Sequence, residues 1–216
     1  MARFAALGDL RGNILAARLA AKTIKATGID TLFQVGDCGL LFPDISREKM
    51  VRRLDYFMEQ ASARMWWIDG NHDNHPALRE LPLQADGTRR LTDRLTYLPR
   101  GVVVDFDGVR VGALGGAFSV DRAWRKEGKT LWAAKEEPAE AEANLLIENV
   151  AGKRLDVLLV HEAPAGVTGL KGMDLPPEIE AQANVTRELL QRIVATLRPR
   201  VVFCGHWHLR HSAILE

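Results

Sequence analysis

The sequence predicts an α/β fold in which parallel strands alternate with helices and a mid-chain hairpin adds a mixed or second sheet. Three observations predict it. Short apolar runs recur along the chain and stop at Gly, Asp, Asn or His. The segments between them carry a helical period, and two of the middle runs are joined by an Asp-Gly turn.

RFAAL, ahead of Gly8, is short and continuously apolar, which fits a strand covered on both faces better than a helix. The Ala-rich stretch from Asn13 to Thr27 predicts the first helix, ended near Gly28. TLFQV is the next strand, before Gly36. In SREKMVRRLDYFMEQA, Met50, Leu54, Phe57, Met58 and Ala61 form one buried helical stripe. RMWWID then runs to Gly70. LTYLP, GVVVDF and VRVGALGG are closely spaced strands, with Asp107-Gly108 as the hairpin turn between the last two. DVLLV ends at His161. In NVTRELLQRIVATL, Val185, Leu189, Ile193, Val194 and Leu197 line a helix that Pro199 closes. VVFC leads to Gly205. The longest expected loops are residues 116–131 and 163–181, and with no internal repeat or linker the chain reads as one domain over 1–216.

Composition narrows the function classes. Hydrophobic residues make up 47% and charged residues 26%, the profile of a globular protein. Lys and Arg (29) nearly balance Asp and Glu (28), which argues against a dedicated binder of long nucleic acids steered by a basic surface and leaves a local basic patch open. No apolar run is long enough for a membrane helix, and the first apolar segment does not end in a signal-peptide cleavage site. Two cysteines, Cys38 and Cys204, make no disulfide scaffold and are expected to be small buried packers. A cytoplasmic location is the expectation; the oligomeric state is not readable.

The chemistry lies at the strand ends. Asp9, Asp37, Asn71-His72-Asp73, His161 and His206-x-His208 each follow the carboxyl end of a predicted strand, the edge where open α/β sheets bind ligands. Hard carboxylate and amide oxygens combined with imidazole nitrogens suit Mn²⁺, Fe²⁺ or Zn²⁺. A Gly-Asp or a lone His at a strand end is ordinarily only structural. Five such sites in one chain are not.

The series GD, GD, GNHD, H, GHxH resembles the calcineurin-like metallophosphoesterase family, and the resemblance extends from Asp9 to His208. It implies a two-sheet αββα sandwich with mixed sheets flanked by helices, and a centre of one or two divalent ions per chain, Mn²⁺ foremost. By the same resemblance Asp37 bridges two metals. Asn71, His161 and His206 complete the second site, and Asp9 and His208 belong to the first. His72 is implied as general acid or transition-state stabiliser, with Asp73 as the group that orients it. Two ions close together would clamp a phosphate, activate a water as hydroxide and stabilise both apical oxygens of an in-line displacement.

One position departs from the family pattern. Arg11 stands where the first site would have a histidine, and a guanidinium cannot ligate a metal. A weak first ion, no first ion, or a guanidinium turned to hold a phosphate oxygen would each follow, and the expectation is a weakened first site with catalysis retained. GDCGLLF and GNHD also differ from the GDxxDRG and GNHE pattern of protein phosphatases. The expected substrate is therefore a small or cyclic-nucleotide-type phosphodiester. A degenerate scaffold that binds a partner is the alternative, and a nuclease or phosphomonoesterase the second alternative. In GGAFSVDRAWRKEGKTLW, Arg122 and Arg125 are expected to bind substrate with Arg11, and Trp124 and Trp132 either stack on a base or fill the core. The loop after His161 is a rim or only a connector.

Overall fold

A computed structural model describes residues 3–41, 47–130, 132–172 and 174–215. Ser46, Leu131 and Met173, which fall within predicted segments, lie outside them. The elements run β1 (Phe4–Leu7), α1 (Ile14–Thr27), β2 (Thr31–Val35), α2 (Arg47–Gln60), β3 (Arg64–Ile68), α3 (His75–Glu80), β4 (Arg89–Arg90) and β5 (Leu95–Tyr97). They continue with β6 (Val103–Phe106), β7 (Val109–Leu114), α4 (Ala133–Glu136), α5 (Glu140–Val150), β8 (Val157–Val160), α6 (Pro177–Leu197) and β9 (Val201–Phe203).

The strands form two sheets, ordered β1-β2-β3-β5-β4 and β6-β7-β8-β9. β1, β2, β3 and β5 are parallel, and β4 is antiparallel to β5. In the second sheet β6 and β7 are the expected hairpin, while β7, β8 and β9 are parallel. Asp107 and Gly108 have φ of 52° and 82°, left-handed values that a two-residue hairpin turn demands. LTYLP does not join that hairpin: β5 lies parallel to β3, so the break between the sheets falls between β5 and β6.

Alternation along the strands builds four layers. On β2, Phe33 and Val35, with Ile68 of β3, face the second sheet, where they meet Val111, Ala113, Val157 and Leu159. Leu32 faces the other way, into the cluster formed by Ala17, Ala21 and Ile24 of α1 and Met50, Leu54 and Met58 of α2. On the far side, Leu158 and Val160 pack against Leu146 of α5 and Leu190 and Ile193 of α6. Strands buried on both faces carry no polar alternation, which is why their sequences are continuously apolar. The result is the αββα sandwich.

The helix ends follow their caps. The Asn13 side chain accepts from the amides of Leu15 and Ala16, each at 3.0 Å, and Gly28 closes α1 at φ 64°. α6 begins seven residues before the predicted segment's Asn184, with Pro177 in its first turn and Glu178 and Glu180 on the favourable end of its dipole. This longer helix shortens the expected 163–181 loop. Of the expected stripe, Ile193 is buried with Thr186 and Leu190, and Leu189, Val194 and Leu197 are partly buried, whereas Val185 lies at the surface.

Candidate metal centre

Every strand-end loop bearing a predicted ligand comes to one place. The crossing is tight enough to require glycine: a Cβ on Gly36 would lie 2.2 Å from His161 Nδ1, and one on Gly70 would lie 2.2 Å from Asp37 Oδ1. Gly36 also has φ 92°, which side-chain-bearing residues avoid. The loop after β1 joins that after β2 through Asp9 N–H to the Gly36 carbonyl (3.1 Å) and Arg11 N–H to the Asp37 carbonyl (2.8 Å). It joins the loop after β9 through His206 N–H, which donates to Asp9 Oδ2 at 3.0 Å.

Donor atoms of Asp9, Asp37 and His161 lie within 4.8 Å of one another. His161 Nδ1 is 2.7 Å from the Val35 carbonyl. A carbonyl only accepts, so Nδ1 carries the proton and Nε2 is the nitrogen that faces the centre. Nε2 lies 3.1 Å from Asn71 Oδ1 and 3.4 Å from Asp37 Oδ1. Burial disfavours charge on His161, yet Asp37 and Asp9 together raise its pKa. Asp37 is buried too, and His161, His72 and Arg11 hold its carboxyl below the usual range. Asn71 is oriented by its amide, which donates to Ser119 Oγ at 2.8 Å.

The two histidines of the GHWH motif differ. His206 is pushed down to about 3 by burial and by neighbouring His161, so it is neutral. Its Nε2 lies 3.5 Å from Glu162 Oε2, while its buried Nδ1 has no hydrogen-bond partner. His208 is half-exposed and meets Asp9 Oδ1 at 3.1 Å. The converging carboxylate, amide and imidazole donors, with the buried unpartnered His206 Nδ1 on the loop bonded to Asp9, fit a divalent cation by their chemistry.

His72 is half-buried and its backbone N–H donates to Asp37 Oδ1 at 2.8 Å. Burial lowers its pKa; Asp37 works against that shift, and Arg125 and Arg11 add to it. Asp73 is placed differently from the orienting role the resemblance implies. Its oxygens accept from the amides of Gly70 (2.8 Å), Gly39 (3.0 Å) and Cys38 (3.4 Å), so it ties the GNHD loop to the loop after β2. Burial and Asp37 raise its carboxyl to about 6.

The three arginines expected at the substrate are each paired with an acid. Arg11 Nη2 lies 3.0 Å from Asp37 Oδ2, with 44% of its side chain exposed. Arg125 is 7% exposed and is held by Glu136 (3.0 Å) and by Ser119 Oγ (2.6 Å). Arg122 meets Glu137 at 2.6 Å and lies over the Phe118 ring. The tryptophans of this loop divide: Trp132 is buried and Trp124 is exposed. Cys38 is buried as expected, whereas Cys204 is exposed because β9 lies at the edge of its sheet.

Sequence reading missed the supports beneath the centre. Glu162 is buried, accepting from the Trp207 indole N–H (2.6 Å) and the Ala163 amide (2.7 Å) beside His206. Its signal was an acid directly after His161 in an apolar run. Asp69, just before the GNHD loop, takes two bonds from Arg100 (2.9 and 2.6 Å) and one from the Tyr97 hydroxyl (2.8 Å). Nothing local in the sequence pairs those three.

The family model for calcineurin-like phosphoesterases matches residues 2–210. Among solved structures, the chain is similar to TT1561 of Thermus thermophilus, at 17% identity and TM-score 0.61, covering 93% of this chain and 80% of that one. It is also similar to GAP50, the anchor in the inner membrane complex of Plasmodium, at 15% identity and TM-score 0.52. That match covers 95% of this chain and 65% of GAP50. These likenesses concern the fold. A search of curated proteins finds no match. Among the described residues no helix is long and apolar enough to cross a membrane. The converging strand ends and the matched model together assign the chain: it belongs to the calcineurin-like phosphoesterase family, whose members are metal-dependent phosphoric ester hydrolases.

Proposed function

We propose that the protein hydrolyses small phosphodiesters, of which cyclic nucleotides are one type, with Mn²⁺ as the working ion. The observation that carries this reading is the convergence of Asp9, Asp37 and His161 donors within 4.8 Å, beside Asn71 and the half-buried His72 ring. Asp9, Asp37, Asn71, His161, His206 and His208 are the residues that would hold metal. A bound divalent ion supplies Lewis-acid polarisation of the phosphoryl group and lowers the pKa of water.

The chain's own residues do the remainder. Asn71 offers a neutral oxygen, its orientation set by Ser119 and its backbone carbonyl 3.4 Å from Arg125. His72 would protonate the departing alkoxide, a contribution typically of about 10²–10⁴ in rate. Asp73 holds that loop against Cys38 and Gly39, so its part is positional. Charge favours a diester over a monoester. Arg122 and Arg125 are already paired with Glu137 and Glu136, and Arg11 shares its charge with Asp37, so the three arginines offer less charge than a dianion would need. A diester carries a single negative charge.

The test is turnover of bis(p-nitrophenyl) phosphate against p-nitrophenyl phosphate with Mn²⁺, for the native chain and His72→Ala. We expect the diester to turn over faster, with at least about a hundredfold loss in the variant. Faster monoester turnover would make it a phosphomonoesterase. No turnover with any divalent ion would favour a binding scaffold.

A further inference from the structure

The donor atoms already engaged within the chain limit what the centre can hold. Asp37 Oδ1 receives the His72 amide and faces His161 Nε2. Its other oxygen, Oδ2, is held by Arg11 at 3.0 Å. Asp9 Oδ2 receives the His206 amide and Oδ1 meets His208 Nε2. Among the described residues, His161 Nε2 faces Asn71 Oδ1 and Asp37 Oδ1, and the buried His206 Nδ1 has no hydrogen-bond partner. Arg11 holds the opposite oxygen of Asp37.

We propose that the Arg11 guanidinium on Asp37 Oδ2 is a built-in second positive charge, limiting this centre to one divalent ion per chain. The inference rests on the metal-dependent reading above. Three observations support it. A guanidinium remains protonated at any working pH, so no titration frees Asp37 Oδ2 for a second ion. An ion on that same oxygen would have to share it with a fixed guanidinium and would meet like-charge repulsion from it. The placement is also enforced by the backbone. Arg11 has φ 43°, and its N–H is bonded to the Asp37 carbonyl, so the residue is fixed to the loop that carries its partner. The guanidinium has five N–H donors, and with 44% of its side chain exposed it can hold Asp37 and also present N–H groups to a phosphoryl oxygen.

The test counts ions, independently of turnover. Metal-free protein is titrated with Mn²⁺, and bound metal per chain is measured by equilibrium dialysis with elemental analysis. Electron paramagnetic resonance separates isolated from exchange-coupled ions. We expect one isolated ion in the native chain. Arg11→His supplies a ligand in place of the cation, and Arg11→Asn supplies a neutral oxygen in a residue that tolerates left-handed backbone. Circular dichroism checks that both are folded, and at least one should take up a second, coupled ion. Two ions in the native chain would overturn the inference and leave the phosphodiesterase reading standing. One ion in both folded variants would also overturn it, since Arg11 would not then be the excluding group. No ion in the native chain would overturn both readings.

Discussion

Arg100 is the place to test how the GNHD loop is held. It is buried, with Nε and Nη2 on Asp69 Oδ2 and further bonds to the carbonyls of Lys135, Glu136 and Glu137 and to Glu142. Replacing it with Met keeps the volume and strands the Asp69 carboxylate in the interior. At 2.6 Å and an effective dielectric of about 20, the bare attraction lost is roughly 6 kcal/mol. Relief from desolvating Arg100 offsets part of that, and removing one member of a buried pair typically costs about 3–5 kcal/mol net. Domains are stable by about 5–15 kcal/mol, so roughly a fifth or more of the whole is at stake. With a urea slope near 2 kcal/mol/M, the midpoint should fall by roughly 1.5–2.5 M. The double variant Asp69→Asn/Arg100→Met removes the stranded charge and should recover part of the loss. A single-variant loss below about 1 kcal/mol, or a double variant no better than the single, would refute this account.

Acid sensitivity and a strained helix cap supply two further predictions. Burial pushes the Asp69 carboxyl up, but Arg100 and the hydrogen-bonded His75 draw it well below the usual carboxylate range. A depressed folded pKa stabilises above the unfolded value near 4 and is lost below it, so urea midpoints should drop as pH falls from about 5 to 2. Asp69→Asn should flatten that drop, and an unchanged profile would remove Asp69 from the acid response. Ala151 caps α5 at φ 54° and is exposed, so Ala151→Gly should relieve left-handed strain of about 1 kcal/mol. In calorimetry this reads as a rise of roughly 2–4 °C.

The fold was legible where one interaction dominated. Strands declare themselves as short apolar runs, and β1, β2, β3, β8 and β9 lie within the expected segments, although β1 and β9 are edge strands with residues exposed where cover on both faces was expected. β4 is two arginines, Arg89 and Arg90, with no pattern to read; its strand character comes only from pairing with β5. α5 could have been found, since Ala143, Leu146 and Val150 mark one helical face. At the site, residue types and strand-end position were sufficient to nominate Asp9, Asp37 and His161, whose donor atoms converge. What each side chain does there depends on partners far along the chain. Asp73 meets amides of Cys38 and Gly39, and Arg125 is held by Glu136. A sequence separation of that size carries no local signal, so charge and exposure misjudge residues that a distant acid neutralises.

Backbone strain distinguishes the site from the scaffold in a way composition cannot. Among the described residues, the non-glycine positions at positive φ include Asp9, Arg11, Asp37, His206 and His208, all in the centre. The others, such as Ala151, Arg198 and Asp107, lie at helix caps and turns, where glycine is the relaxed choice. At the centre glycine would relax the backbone and delete the donor. Strain of about 1–3 kcal/mol per residue is kept only where surrounding structure over-determines it. Here the determining contacts are the inter-loop hydrogen bonds: Asp9 to Gly36, Arg11 to Asp37, and His206 to Asp9. Relieving strain at Ala151 should therefore leave metal binding intact, whereas substitutions at these positions trade stability against function. Arg11 belongs to this strained set although it cannot ligate. A merely tolerated surface arginine would have no reason to adopt φ 43° with both its amide and its guanidinium engaged by the same aspartate.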